Sequence, residues 1–276
     1  MKKAIALILV LVLACLSMVS CSTREERKYA KALNNAIIAN DYELVKSIIA
    51  ECPSALNTYP TLAPSWWQGE ILMTRIYYPL AEACKAGNLE MVKLLVESGA
   101  DVNSYIPDDR EYTPIHVALD YCEDDWYEIV MYLISKGASI DYVDDYGQGA
   151  IFIDMTWNTP VLAKEDAEKI YSLFCYAFDN CDKSNVDWQR VFCYAIMFDH
   201  YEIVKVLLKD GYADVNASVS NEKITPLMFA VRSSDVSIVK YLLDNGADVN
   251  AVDSDGKTVS DYLAKRNNEE INALFE

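Results

Sequence analysis

Apolar residues return along this chain in short runs at helical spacing, separated by polar breaks. Met91, Val92, Leu94 and Leu95 form one run, and Ile238, Val239, Leu242 and Leu243 form another. Residues three and four apart share one face of a helix, so each run predicts an amphipathic helix with one apolar stripe. The stretches from Glu43 to Ile49 and from Tyr201 to Leu208 repeat the pattern. A second helix is predicted just before each of these. In one copy Leu227 and Ala230 lie three apart on one face, and alanine is small enough to let a neighbouring helix pack close. Gly87-Asn88, Asp199-His200 and Ser234-Asp235 form the polar breaks between the paired helices.

The residues around these runs supply their starts and stops. In Thr113-Pro114 and Thr225-Pro226 the threonine can cap a helix N-terminus, while proline takes the first helical position, where its missing N–H costs nothing. Gly99, Gly137 and Gly246 stand just past helix ends, where a left-handed residue is wanted. The Asp-Val-Asn after Ala100 and after Ala247 is turn chemistry leading to the next unit. The whole phrase occurs over residues 78–103 and again over 225–250. Such recurrence predicts a stack of like units, each touching its neighbours, with a long surface suited to binding rather than to chemistry.

On these residues the chain resembles the ankyrin repeat family, whose units are helix-turn-helix-turn with a period of about 33 residues. The resemblance runs through nearly all of 28–276 and implies an all-α fold, an ankyrin-repeat solenoid of about seven units including degenerate caps. The copy at 113–141 carries three extra residues in its inter-helix turn, around Glu123-Asp124-Asp125. Residues 31–57 look like an N-terminal cap, and Asp255 to Phe275 like a C-terminal one. The unit at 147–185 is degenerate: Gly147-Gln148-Gly149-Ala150-Ile151 replaces Thr-Pro-Leu, and Asp179 to Asn185 replaces the Gly-Ala-Asp turn. A helix is expected there from Glu165 to Phe178, in what should be the weakest joint of the stack.

Lys2-Lys3 followed by an apolar run from Ala4 to Leu16 has the charged start and apolar middle of an export signal, and is shorter than the about 20 residues of a membrane span. The segment also resembles a bacterial lipoprotein signal, which implies cleavage before a lipidated cysteine. Cys21, between Ser20 and Ser22, fits that position best, although Met18 departs from the usual leucine; Cys15 is the poorer alternative. The expected layout is a signal peptide at 1–20, a lipidated tether at 21–30 and the repeat domain at 31–276. The serine after Cys21 implies, by the same resemblance, an outer membrane location facing the periplasm.

Charge and chemistry narrow the function. A formal charge of −18, from 24 basic and 42 acidic residues, would repel phosphate backbones and argues against nucleic acid. Most of these acids fit the role of keeping helix exteriors soluble. The cysteines follow no zinc or disulfide spacing, although Cys175 and Cys181 are close enough in sequence to suggest a bridge stapling the degenerate unit. Cys84 holds a small core position and is expected to be a buried thiol. His116, in Thr113-Pro114-Ile115-His116, takes from the resemblance a turn-supporting hydrogen bond, and His200 aligns with Asn88. No glycine-rich phosphate loop, calcium-loop spacing or nucleophile–base pair is present, so no catalytic or metal residue, cofactor or small-molecule substrate is assigned.

A protein partner is therefore expected, together with the membrane through the lipid. The segment 58–77 is long for a connection in a compact stack and holds Tyr59, Trp66 and Trp67. Its tryptophans read equally as interface anchors or as a lid folded over the first stack interface. Tyr105, Tyr112, Trp126, Tyr127, Tyr142 and Tyr146 stand at expected tips and turns and complete the candidate partner-binding set. Leu94, Leu95, Leu207, Leu208, Leu242 and Leu243 are expected to be core. The expected role is a membrane-anchored protein-interaction module of the cell envelope. An immunity-like inhibitor of a basic toxin or enzyme, and an architectural envelope protein without a dedicated partner, are the alternatives.

Overall fold

A computed structural model describes residues 24–60, 78–104, 113–122, 124–140, 167–266 and 268–276. Among the described residues it contains thirteen α-helices and two 3-10 turns, with no strand. The chain divides into two compact units, one ending at Ala118 and one running from Leu119 to Glu276.

The first unit contains α1 (Arg24–Ile38), α2 (Tyr42–Glu51), a 3-10 turn (Pro53–Asn57), α3 (Pro79–Lys85) and α4 (Leu89–Glu97); the division falls inside α5 (Pro114–Tyr121). Asp41 starts α2 by accepting from the Leu44 N–H at 3.0 Å, and Asn88 starts α4 by accepting from that of Met91 at 2.9 Å. Both caps satisfy N–H groups that a helix leaves without a partner. The turns before them use left-handed residues, Asn40 and Gly87. Helix α1 packs on both α2 and α3, and α3 on α4, burying Leu33, Leu80, Met91 and Leu95 completely. The helix starting at Arg24 corrects the expected tether over 21–30. Glu25 pairs with Lys28, Glu26 accepts from the Ser54 hydroxyl, and Ala30 is fully buried, so residues 24–30 belong to the folded unit.

The second unit contains α6 (Trp126–Ser135), α7 (Ala167–Asn180), a 3-10 turn (Lys183–Asn185), α8 (Trp188–Met197), α9 (Tyr201–Lys209), α10 (Pro226–Ser233), α11 (Val236–Asp244), α12 (Val259–Arg266) and α13 (Glu269–Asn272). First helices stack in the order α8, α10, α12, and second helices in the order α7, α9, α11, α13. Thr225 caps α10 as expected, accepting from the Met228 N–H at 3.3 Å. Helix α7 ends two residues beyond the expected Phe178. Trp188 then donates from Nε1 to the Lys183 carbonyl at 3.0 Å, and the Lys183 ammonium lies 4.0 Å from the Phe178 ring centre. Phe178, Trp188 and Tyr212 meet edge to face at 5.0–5.3 Å, so aromatic packing closes the turn that lacks Gly-Ala-Asp.

Gly99, Gly137 and Gly246 end α4, α6 and α11 with φ of +100°, +92° and +87°. In each case the next alanine N–H reaches back to a helix carbonyl at 3.0 Å (Ala100 to Leu95, Ala138 to Leu133, Ala247 to Leu242), which needs the left-handed residue between. Of the six leucines expected in the core, Leu95, Leu207 and Leu242 are fully buried, whereas Leu94, Leu208 and Leu243 are half-buried. One member of each adjacent pair must leave the stripe, because consecutive helical residues sit about 100° apart.

The turns are braced from one repeat to the next by side-chain amides. Asn57 donates to the Gly99 carbonyl at 3.0 Å and accepts from the Asp101 N–H at 2.8 Å. Asn216 repeats this with Gly246 and Asp248 at 3.1 and 2.8 Å, and within a single unit Gln189 grips the main-chain carbonyl and N–H of Asp214 at 2.9 and 2.7 Å. Asn216→Ala removes two such bonds and should lower the unfolding free energy by about 1–2 kcal/mol in urea denaturation. Asn216→Asp keeps the acceptor alone and should fall between; equal stability of all three proteins would deny the brace any energetic role.

Candidate functional site

The described members of the expected partner-binding set divide by burial. Tyr59 is half-buried, its ring 5.3 Å from that of Tyr78 and tilted by 52°, so the two described ends of the long connection meet. Thr58 fixes the approach by donating from its hydroxyl to the Ser54 carbonyl at 2.8 Å, and Pro60 is buried beside it. Trp66, Trp67, Tyr105, Tyr112, Tyr142 and Tyr146 lie outside the described residues, as does Cys21.

Trp126 requires a correction. Asp125 adopts a left-handed conformation at φ +53°, and the following Trp126 becomes the first residue of α6 with its ring turned inward, 2 % exposed. It is a core residue and offers a partner no surface. Tyr127 is half-buried on the second-helix layer instead of at a tip. Its hydroxyl lies 3.1 Å from Ser172 Oγ on α7, and the Lys169 ammonium stands 5.9 Å from its ring centre. Lys169 also pairs with Glu128 at 3.7 Å, so this corner ties α6 to α7.

His116 acts as the family resemblance implies, and His200 shares only its position with Asn88. His116 Nδ1 accepts from the Thr113 N–H at 3.2 Å and lies 2.8 Å from the Thr113 hydroxyl, holding the turn into α5. Burial pushes its pKa down to about 4, which keeps it a neutral acceptor near pH 7. His200 starts α9 at the position that Asn88 holds in α4, but makes no side-chain cap. Its pKa also falls to about 4 through burial, against an opposing pull from Asp199.

Cys84, Cys122 and Cys193 are buried thiols, and burial pushes Cys193 up to about 12, far from the reactive thiolate. The expected Cys175–Cys181 bridge is corrected: both are free thiols. Cys175 lies in α7 and Cys181 extends it, its N–H donating to the Ala177 carbonyl at 2.8 Å. Six helical residues span about 9 Å along the axis, beyond the roughly 7 Å that a disulfide tolerates between Cα atoms. Among the described residues no group of three His, Cys, Asp or Glu side chains could hold a metal ion, and no helix is long and apolar enough to cross a membrane.

Sequence reasoning missed a cavity of about 650 Å³ in the second unit, where Arg232, Lys257, Lys265 and Arg266 converge. The available signal was a set of four basic residues, three on the last two first-helices and Lys257 in the turn before α12, in an acidic chain. Nothing in the sequence reading brought residues from α10 and α12 together around one space.

Comparison with known proteins agrees with this architecture. The family description "Ankyrin repeats (3 copies)" matches residues 33–144 and 162–273. The human ASB11 ankyrin repeat domain superposes with a TM-score of 0.58 at 21% identity, covering 88% of this chain and 96% of that one, a likeness of fold. Alpha-latrocrustotoxin-Lt1a of Latrodectus tredecimguttatus is 29% identical over 63% of this chain, and the putative ankyrin repeat protein L371 of Acanthamoeba polyphaga mimivirus 25% over 86%. Protein phosphatase 1 regulatory subunit 27 of Homo sapiens is 47% identical over 25% of the chain. The matched stretches span 12%, 28% and 41% of those three relatives' own lengths.

Proposed function

The chain belongs to the ankyrin repeat family, and from that premise we propose that it is a protein-binding module held at the cell envelope by a lipid on Cys21. The observation that carries the binding role is the repeat match through both compact units, because arrays of this kind present rigid preorganised surfaces to other proteins. The anchor rests on Lys2-Lys3, the apolar run after it and the Ser20-Cys21-Ser22 site; the outer membrane facing the periplasm is the proposed location. Trp66 and Trp67 are the proposed aromatic anchors, with Tyr59 at the described edge of their segment. A charge of −18 favours one further reading, an immunity-like inhibitor of a basic toxin or enzyme, whose affinity would fall steeply with added salt.

Crosslinking in the native cells, followed by identification of the captured proteins, tests the proposal. Wild type should capture one dominant partner from the membrane fraction, and a Trp66→Ala, Trp67→Ala double variant should lose it. Cys21→Ser should release the protein from membranes. Retention of the partner by the double variant would remove the tryptophans from the interface; absence of any enriched protein would favour an architectural role.

A further inference from the structure

In a chain with a formal charge of −18, the 650 Å³ cavity at the C-terminal end of the second unit is an exception in sign. Its walls are α10 and α12 and the turns that precede them, which are tied together where the Ser254 N–H donates to the Glu222 carbonyl at 2.8 Å. Four cations reach it. Lys257 is neutralised by Asp255 at 2.5 Å. The other three, Arg232, Lys265 and Arg266, have no carboxylate within ion-pair distance among the described residues.

Each of the three is held in place without being neutralised. Arg266 donates from Nη1 to the carbonyls of Ala230 and Val231, at 3.3 and 3.2 Å, which fixes the plane of the guanidinium and leaves Nε and Nη2 as donors. The Arg232 guanidinium lies 5.3 Å from the Phe229 ring centre, and the Lys265 ammonium 5.9 Å from that of Tyr262. Ring faces orient a cation while leaving its charge available. Asp253, the buried acid in the wall, accepts from the Tyr262 hydroxyl at 2.6 Å and from the N–H groups of Asp255 and Lys257 at 2.8 and 2.9 Å, which keep it anionic but turned to the wall, so the lining sets four cations against three acids. Glu222 is the remaining acid at the rim.

We propose that this cavity binds an acidic peptide segment of a partner protein, with carboxylates meeting Arg266 in the fixed fork and Arg232 and Lys265 at the mouth. Charge complementarity argues for that occupant. Carboxylates suit a planar arginine whose fork is half free, and the acids elsewhere on the chain would repel the long polyanion of a nucleic acid. The site deepens the protein-binding reading and rests on it for the ligand being a peptide.

The test titrates the full chain, in mild detergent at low ionic strength, with a short fluorescein-labelled glutamate-rich peptide followed by fluorescence anisotropy. Wild type should bind saturably. Arg232→Gln with Lys265→Gln alters two exposed side chains and should weaken binding about tenfold with an unchanged thermal melt. Lys240→Gln, on the exposed side of α11, should leave binding unchanged. The proposal is overturned if the double variant binds like wild type, if Lys240→Gln weakens binding equally, or if a lysine-rich peptide or a single-stranded oligonucleotide binds more tightly. Failure to capture any partner in cells alongside a passing titration would remove the cellular role and leave the pocket standing.

Discussion

Leu242→Ala should lower the unfolding free energy by about 2–5 kcal/mol, measured by chemical denaturation of the full chain. Leu242 is fully buried in α11, which packs against α10 and lies between α9 and α13, so the lost side chain leaves a cavity that neighbours on three sides must collapse to fill. Leu95→Ala in α4 of the first unit should cost a similar amount for the same reason. The neighbouring Leu243 is an internal comparison. It is half-buried, and its truncation should cost clearly less than that of Leu242. A loss under about half a kcal/mol at Leu242 would place the wrong face of α11 inward.

Acid should begin to destabilise the protein above the pH at which most of its carboxylates titrate. His116 and His200 both have folded pKa values of about 4, against about 6.5 for an unfolded histidine. Above pH 6.5 neither state holds the proton and the full stability is present. As pH falls from 6.5 to 4 the unfolded chain takes up a proton that the folded chain refuses, so stability is lost through that window, by roughly 3 kcal/mol for each histidine. Asp182, Asp253 and Asp261, held below the ordinary carboxylate value by hydrogen bonds, lose their contributions at lower pH still. Glu82, raised by burial despite Lys85 nearby, opposes the trend. Urea midpoints measured from pH 7.5 to 4.5 should fall for wild type and stay nearly flat for a His116→Asn, His200→Asn double variant. Asparagine at 116 retains an acceptor near the Thr113 N–H, and at 200 it can make the cap that Asn88 makes in α4. A wild-type profile flat over this range would show that burial does not hold these imidazoles neutral.

What the sequence made legible is what the repeat itself encodes within one unit. Thr225-Pro226, Asn88 and Gly99 each act on groups a few residues away, so their jobs follow from spacing alone. His116 belongs to the same class, since its partner Thr113 is three residues earlier. The misreadings turned either on a backbone conformation that residue types do not announce or on contacts outside that range. Trp126 turned inward because the extended turn ended in a left-handed Asp125, a conformation that its sequence does not announce. Cys175 and Cys181 are near in sequence but are kept apart by a helix that runs past its expected end. The grip of Asn216 on Gly246 and Asp248, about a repeat away, emerges only when the units stack. The cation-lined cavity lay furthest out of reach, since it joins side chains of two successive repeats.

The amide braces also bear on how such a chain can change its length over evolutionary time. Asn57 and Asn216 grip only main-chain carbonyl and N–H groups of the next unit, so they make no demand on which side chains the following turn carries. A duplicated or deleted segment that spans one whole period meets the same donor and acceptor at its new junction. A segment of any other length would leave an amide facing the wrong part of a helix. Gene rearrangements in whole periods are thus the ones this architecture absorbs, and drift inside a unit, as at 167–185, can proceed while its neighbours stay docked.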